Sequence, residues 1–317
     1  MPARPRESLG LFLGFVGMVC FAGTLPATRV AIPYLDAWFL TVGRAAIAGV
    51  LALVPLLLLK RRIPARRYWG EIAIAGVLLI YGFPFFTALA MMSVPVAHGG
   101  VVLGILPLAT TLAATLVAGE RASLGFWLAG VAGGAIVVAF ALRHGAGGLA
   151  LGDFWLLGAI LSAAFGYTYA GKLSGDMPAW EVNAWQLVLS LPLALPAMLW
   201  LWPPDAAAAP WPAWTALAYV AVMVQLLGFF FWNAGLAMGG IARVGQLQLL
   251  QPFVILLMGA AVNDEPLALE TFGFAAAVVA TVIVGRRMRV ERRSQRVSSS
   301  DPAGSTGRES DAAQSLP

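Results

Sequence analysis

Charge is what this sequence has least of. Only 11% of its 317 residues are Asp, Glu, Lys or Arg, against about 25% in a soluble domain. So few charges cannot cover a water-facing surface, and 60% of the residues are hydrophobic, with a mean hydropathy of +0.83. A soluble domain is excluded, and the composition is that of an integral membrane protein. Cysteine is nearly absent. Cys20 alone rules out an intramolecular disulfide and a Cys-based metal site, and it reads as a small buried apolar side chain. With only His98 and His144, a His-rich metal site is excluded as well. There is no HExxH, no Walker A loop and no serine elbow. No metal, no cofactor and no enzymatic activity are expected.

Long apolar runs are what the chain does have. A helix rising 1.5 Å per residue needs about 20 residues to cross a hydrocarbon core of about 30 Å. Ten segments qualify: Leu9–Ala27, Asp36–Leu59, Trp69–Ala90, Val94–Ala118, Ala122–Leu142, Ala150–Ala170, Trp180–Trp202, Trp211–Leu236, Ile241–Val262 and Leu267–Gly285. None shows the short-period alternation of a barrel strand, so the expected fold class is all-α, a membrane-spanning bundle of ten helices. The N-terminus has the charge-then-apolar order of a signal peptide, but its apolar stretch is long and it reads as the first span.

The basic residues are placed unevenly. With the N-terminus inside, 17 of the 20 Lys and Arg residues fall in inside segments, Arg29 and Arg143 fall outside, and Arg44 lies within a span. Cytoplasmic loops carry such an excess, so both termini are expected in the cytoplasm. The net charge of +5 is thus a topology signal, and no nucleic-acid partner is expected. Residues 286–317 read as a basic stop signal followed by a disordered tail.

The chain repeats itself. Shifted by 145 residues, "FFTALAMMSVPVAHGGVVLGILP" lies over "FFWNAGLAMGGIARVGQLQLLQP", with Pro107 on Pro252 and Glu120 on Glu265. A shift of 142 lays "AWFLTVGR" over "AWEVNAWQ", so Arg44 falls on Gln186. Each half has five spans, and an odd number means that the second half enters from the opposite side. The expected halves are residues 9–142 and 150–285, preceded by 1–8 and joined by 143–149. Inverted repeats are a construction of secondary transporters, with the substrate site near the midplane between them.

These features resemble the drug/metabolite transporter superfamily, in its ten-helix EamA-type branch. The resemblance rests on "FAGTLPATR" ending the first span, the "GR" of the second, and the block "ILPLATTLAATLVAGERASLGFWLAGVAGGAIVV". It rests also on "GDFWLLGAILSAAFGYTYAGK" opening the second half, and on the recurrence of the block as "LLQPFVILLMGAAVNDEPLALETFGFAAAVVATVIV". It implies export or exchange of small metabolites across the plasma membrane by alternating access. "NDEP" in place of "GER" and three glutamines in the ninth span depart from the pattern and leave the substrate most open.

Polar groups inside the spans are the candidate site. A central arginine costs about 2.5–3.5 kcal/mol on insertion scales. Arg44 either snorkels outward, binds an anionic substrate group with its two-pronged guanidinium, or pairs with a carboxylate, Asp153 being the best candidate. Gln186 and Asn183 share a helix face and can bond a ligand or a neighbouring helix. Gln246, Gln248 and Gln251 crowd the ninth span, at least one of them facing the cavity. Asn233, Gln225 and Tyr167 are weaker candidates. His98 reads as a structural or solvated helix-end histidine or, secondarily, a pH sensor. Pro107 and Pro252 set a fixed shape or mark flexing points. Glu120 and Glu265 are expected to cap the helices that follow them. Gly10, Gly14, Gly17, Gly130, Gly133 and Gly134 are expected to permit close packing. No acidic residue sits deep in a span, which weakens obligatory proton coupling.

The reading is a secondary transporter, an exporter or facilitator of a small polar metabolite in the lipid bilayer, with an amino acid among the candidates. A carrier of hydrophobic cations in multidrug efflux is the alternative, then a channel, a lipid scramblase or a membrane scaffold. Cargo, direction, coupling ion and oligomeric state stay open at this level.

Overall fold

The computed structural model describes residues 5–118, 121–144, 149–239, 244–287 and 290–291. Among them, seven helical segments are long and apolar enough to cross a membrane, and three shorter apolar helices bring the bundle to ten. We number them α1 (Glu7–Ala31), α2 (Ala37–Leu58), α3 (Arg66–Met91), α4 (Val96–Val117) and α5 (Leu124–His144). The second half holds α6 (Leu151–Leu173), α7 (Ala179–Trp200), α8 (Trp211–Leu236), α9 (Gly245–Leu250, then Gln251–Asn263) and α10 (Leu269–Arg287). The chain is an all-α membrane protein of two inverted five-helix repeats. The one extended pairing described is a two-residue bridge of Arg121–Ala122 with Val290–Glu291.

Local chemistry sets several helix ends. Asp36 starts α2 by accepting from the amides of Trp38 and Phe39 at 2.8 and 3.0 Å, a cap worth about 1 kcal/mol. Asp153 accepts from the Ala150 amide at the start of α6. Past the end of α9, Asp264 takes the left-handed conformation, φ 54°, which turns the chain back.

The halves share two irregularities. α3 carries a π-helical stretch over Val77–Gly82 and α8 one over Tyr219–Gly228, and the shift of 145 lays the first inside the second. α4 breaks at Gly104 and Ile105 and resumes as Leu106–Ala118, while α9 passes from a 3-10 stretch into an α-helix at Gln251. Pro107 and Pro252 each sit in the first turn after the irregularity, where the missing amide breaks no helical bond.

Packing of α1 on α8 is nearly backbone to backbone. A Cβ on Gly17 would lie 2.8 Å from the Trp232 amide nitrogen, and one on Gly235 would lie 2.7 Å from Cα of Gly14. Gly133 likewise approaches Thr281 of α10. Gly130 and Gly134 do not fit the packing expectation: nothing lies within 4 Å of a Cβ at either.

Among the described residues, α4 and α9 pack closely along one half of their length. Val96 packs on Gly259, Gly100 on Ile255 and Gly104 on Pro252. Beyond the breaks they part. Leu106–Ala118 runs along α6, and Val244 and Leu247 pack on Gly14 of α1.

Candidate functional site

Five helices place polar side chains or a close backbone at the middle of the bundle. Arg44 lies eight residues into α2 from its Asp36 cap, roughly 12 Å along the axis. It is 3% exposed. Its Nη2 donates to Gln225 Oε1 of α8 at 2.7 Å. The backbone carbonyl of Gln225, within the π-helical stretch, accepts from Asn183 Nδ2 of α7 at 3.1 Å. Gln225 therefore joins the first half's arginine to the second half's asparagine. Tyr167 of α6 is the titratable group close enough to couple electrostatically to Arg44. Its ring packs on Phe229, with centroids 6.4 Å apart.

Gln186, the mirror of Arg44, is 2% exposed and packs beside Gly76 of α3. Its Nε2 has no hydrogen-bond partner among the described residues, and the same holds for Nε of Arg44 and Nε1 of Trp185. All three are donors. A buried donor left unmade costs about 1–3 kcal/mol, more when charged. Their common need is an acceptor, and an anion or carbonyl oxygens would supply it.

The expected pairing of Arg44 with Asp153 is not what the structure has. Among the described residues no carboxylate lies within ion-pair distance of Arg44. Asp153 is taken by His98, Oδ1 to Nε2 at 2.6 Å, with side chains only 10% and 6% exposed. Its oxygens are engaged by His98 and the Ala150 amide, while Arg44 is held by Gln225. His98 is thus structural rather than solvated, a buried partner in the first turn of α4.

Glu265 also differs from expectation. It caps α4 of the other half instead of the helix that follows it, its two oxygens accepting from the amides of Val96 and Ala97 at 2.6 and 2.8 Å. α4 begins beside the end of α9, so the nearest open helix N-terminus is there and not at α10. Glu120 and Arg243 lie outside the described residues.

The remaining candidates stand apart from this group. Gln248 and Gln251 are half-buried on α9 and make no hydrogen bond to it. They eclipse one another across the 3-10 stretch, where i and i+3 align. The side chain of Gln246 lies outside the described residues. Asn233 is eight residues beyond Gln225, about 12 Å further along α8. Trp185 was missed from sequence, and nothing in its spacing marks an orphan indole. Gln225 had a usable signal: it is the one amide in "YVAVMVQLLGFFF".

A multi-pass bundle of inverted repeats, with broken and π-helical spans around a buried polar centre, has the construction of a secondary transporter. Comparison with known proteins agrees. The chain belongs to the EamA-like transporter family, which matches residues 8–142 and again 150–286. It is 44% identical over 282 residues to "Uncharacterized transporter YdeK" of Bacillus subtilis (strain 168), covering 89% of this chain and 98% of that protein. It is 26% identical over 285 residues to a "Probable terminal-alkyne amino-acid exporter" of Streptantibioticus cattleyicolor, covering 87% and 93%. A solved crystal structure superposes with a TM-score of 0.60 at 20% identity over 89% of this chain and 99% of the other, a likeness of fold. The protein is a membrane transporter.

Proposed function

We propose that this transporter moves a small carboxylate-bearing metabolite, an amino acid among the candidates, out of the cell or down its gradient across the plasma membrane. Both termini lie in the cytoplasm, on the side of the basic loops. The halves 9–142 and 150–285 rock against each other around the Arg44 centre, and the irregular spans that restart at Pro107 and Pro252 flex as they do so.

The observation that carries this reading is the set of orphan donors. Arg44 Nε, Gln186 Nε2 and Trp185 Nε1 are buried without acceptors. A substrate carboxylate would meet this need, because a guanidinium binds two oxygens at once. The Gln225 acceptor holds Arg44 in place while leaving Nε free. Tyr167 and Phe229 offer an apolar wall beside it for the rest of the cargo. The name of the Streptantibioticus relative supports an amino acid as cargo.

The test is counterflow into proteoliposomes across a panel of amino acids, other carboxylates and quaternary amines. Carboxylates should be carried saturably, and Arg44→Ala should abolish this while Arg44→Lys retains a part. If both variants carry a carboxylate at the wild-type rate and affinity, Arg44 is not a substrate ligand. Saturable carriage of quaternary amines alone would replace the reading with cation efflux.

A further inference from the structure

The two ends of the bundle are closed by different chemistry. At the end away from the basic loops, three consecutive residues that open α4 are held by two carboxylates of the other half. Glu265 bonds the amides of Val96 and Ala97, and Asp153 bonds His98. Asn263 adds a bond from its Nδ2 to the Pro26 carbonyl of α1 at 3.3 Å. The carboxylates are only partly exposed, and the bonds that they accept are charge-assisted. Other charged groups near this end are already engaged. Arg29 donates to the Met91 carbonyl, and Arg143 pairs with Glu270.

At the basic end the fastenings among the described residues are two ion pairs. Lys172 pairs with Glu71 at 2.5 Å with side chains 62% and 29% exposed, and Arg61 lies 3.2 Å from Glu181 with side chains 43% and 11% exposed. Glu181 Oε1 makes no aligned hydrogen bond in that pair. A pair as exposed as Lys172–Glu71 contributes little. Beside them lies a cleft of about 390 Å³ lined by Arg67, Tyr68, Glu71, Lys172 and Asp176. α4 and α9 are zipped at the Glu265 end and part towards the basic end. The bridge of residues 121–122 with 290–291 and the Arg143–Glu270 pair both belong to the α5–α10 contact, which runs the length of those helices. Neither closes a mouth.

We propose that Glu265 and Asp153 latch a gate at the end away from the basic loops, and that the transporter is built to load its cargo from the basic end. This rests on the carrier reading and adds a direction to it: with the basic loops in the cytoplasm, loading is cytoplasmic and the working direction is export. Glu265 is a positioning residue that holds the start of α4, and it has no contact with cargo. Opening the latched gate needs both carboxylates to release α4. Among the described residues, opening the other end breaks the Lys172–Glu71 and Arg61–Glu181 pairs.

Distances between spin labels in the full chain, reconstituted in lipid, test this without any substrate. One pair of labels at Met92 and Leu267, both exposed, reports the latched end; a pair at Ile63 and Ser174 reports the basic end. Cys20 is buried, and Cys20→Ala removes background labelling. The wild type should show one narrow distance at the latched end and two at the basic end. Glu265→Ala should add a longer distance at the latched end, raising its open fraction about tenfold or more. Asp153→Asn should do the same to a smaller degree. Glu71→Gln should change only the basic end, by about two- to threefold. Should Glu265→Ala fail to fold, the wild type and Glu71→Gln still decide. Two distances at the latched end with one at the basic end would overturn the proposal alone. Single distances at both ends, in the wild type and in Glu71→Gln, would overturn it together with the carrier reading.

Discussion

In the repeat alignment Arg44 falls on Gln186 and Ile80 on Gln225. In the first half the pair is a cation and an alkyl group; in the second it is two amides. The scaffolding around them is alike: a π-helical stretch in the third span of each half, and an irregular fourth span that restarts at a proline. The repeat supplies geometry twice. The chemistry of the centre comes from positions where the copies have diverged, and it is assembled across the seam, with Arg44 of one half bonded to Gln225 of the other.

That contrast can be broken at several points. The largest effect is expected at Arg44. Arg44→Ala should weaken carboxylate binding by about 2–5 kcal/mol, as loss of a buried charged partner does. Gln186→Ala should cost only about 1 kcal/mol. Binding titrations on the purified protein check both, and equal losses would mean that the halves contribute alike. Next comes Gln225→Leu, which makes the second half resemble the first. It leaves Arg44 without its acceptor and should cost about 1.5–3 kcal/mol of stability, read from thermal unfolding in detergent. An unchanged melting temperature would show that Arg44 finds another acceptor.

Gly17→Ala follows. The added Cβ would press on the Trp232 backbone, at a cost of about 1–3 kcal/mol. Gly130→Ala, in open space, should stay within about 0.5 kcal/mol. Similar melting temperatures would undo the distinction between packed and open glycines. The smallest effects belong to the prolines. Pro107→Ala and Pro252→Ala should each slow counterflow by about two- to fivefold with binding unchanged. A slowing in one variant alone would show that a single half flexes.

Much of the fold was legible because burial in lipid leaves a coarse signal. Twenty-residue apolar runs, basic loops and Pro-on-Pro repeats need no side-chain detail to read. The helices differ from the expected spans mostly at their ends, where α1 runs on to Ala31 through a bend at Gly23. Arg44, Gln186 and Asn183 could be picked out because a polar group in an apolar run is costly and needs a reason. Their partners could not. Asp153 looked right for Arg44 by charge, yet it lies near the end of its helix, beside His98. Glu265 looked like a cap for its neighbour in sequence, but the open amides nearest to it belong to α4. Chain order says which end of a span a residue occupies. It does not say which helix stands beside it.

By itself the sequence determined that this is a membrane bundle of ten spans, that its basic loops share one side of the bundle, and that its two halves are inverted copies. These follow from hydropathy, charge counts and repetition, all of which are sums along the chain. Only the tertiary structure decided that Gln225 holds Arg44, that three buried donors lack acceptors among the described residues, and that carboxylates of the other half grip the start of α4. Those are contacts between helices far apart in sequence, and lipid cannot stand in for a missing partner, so packing selects each neighbour.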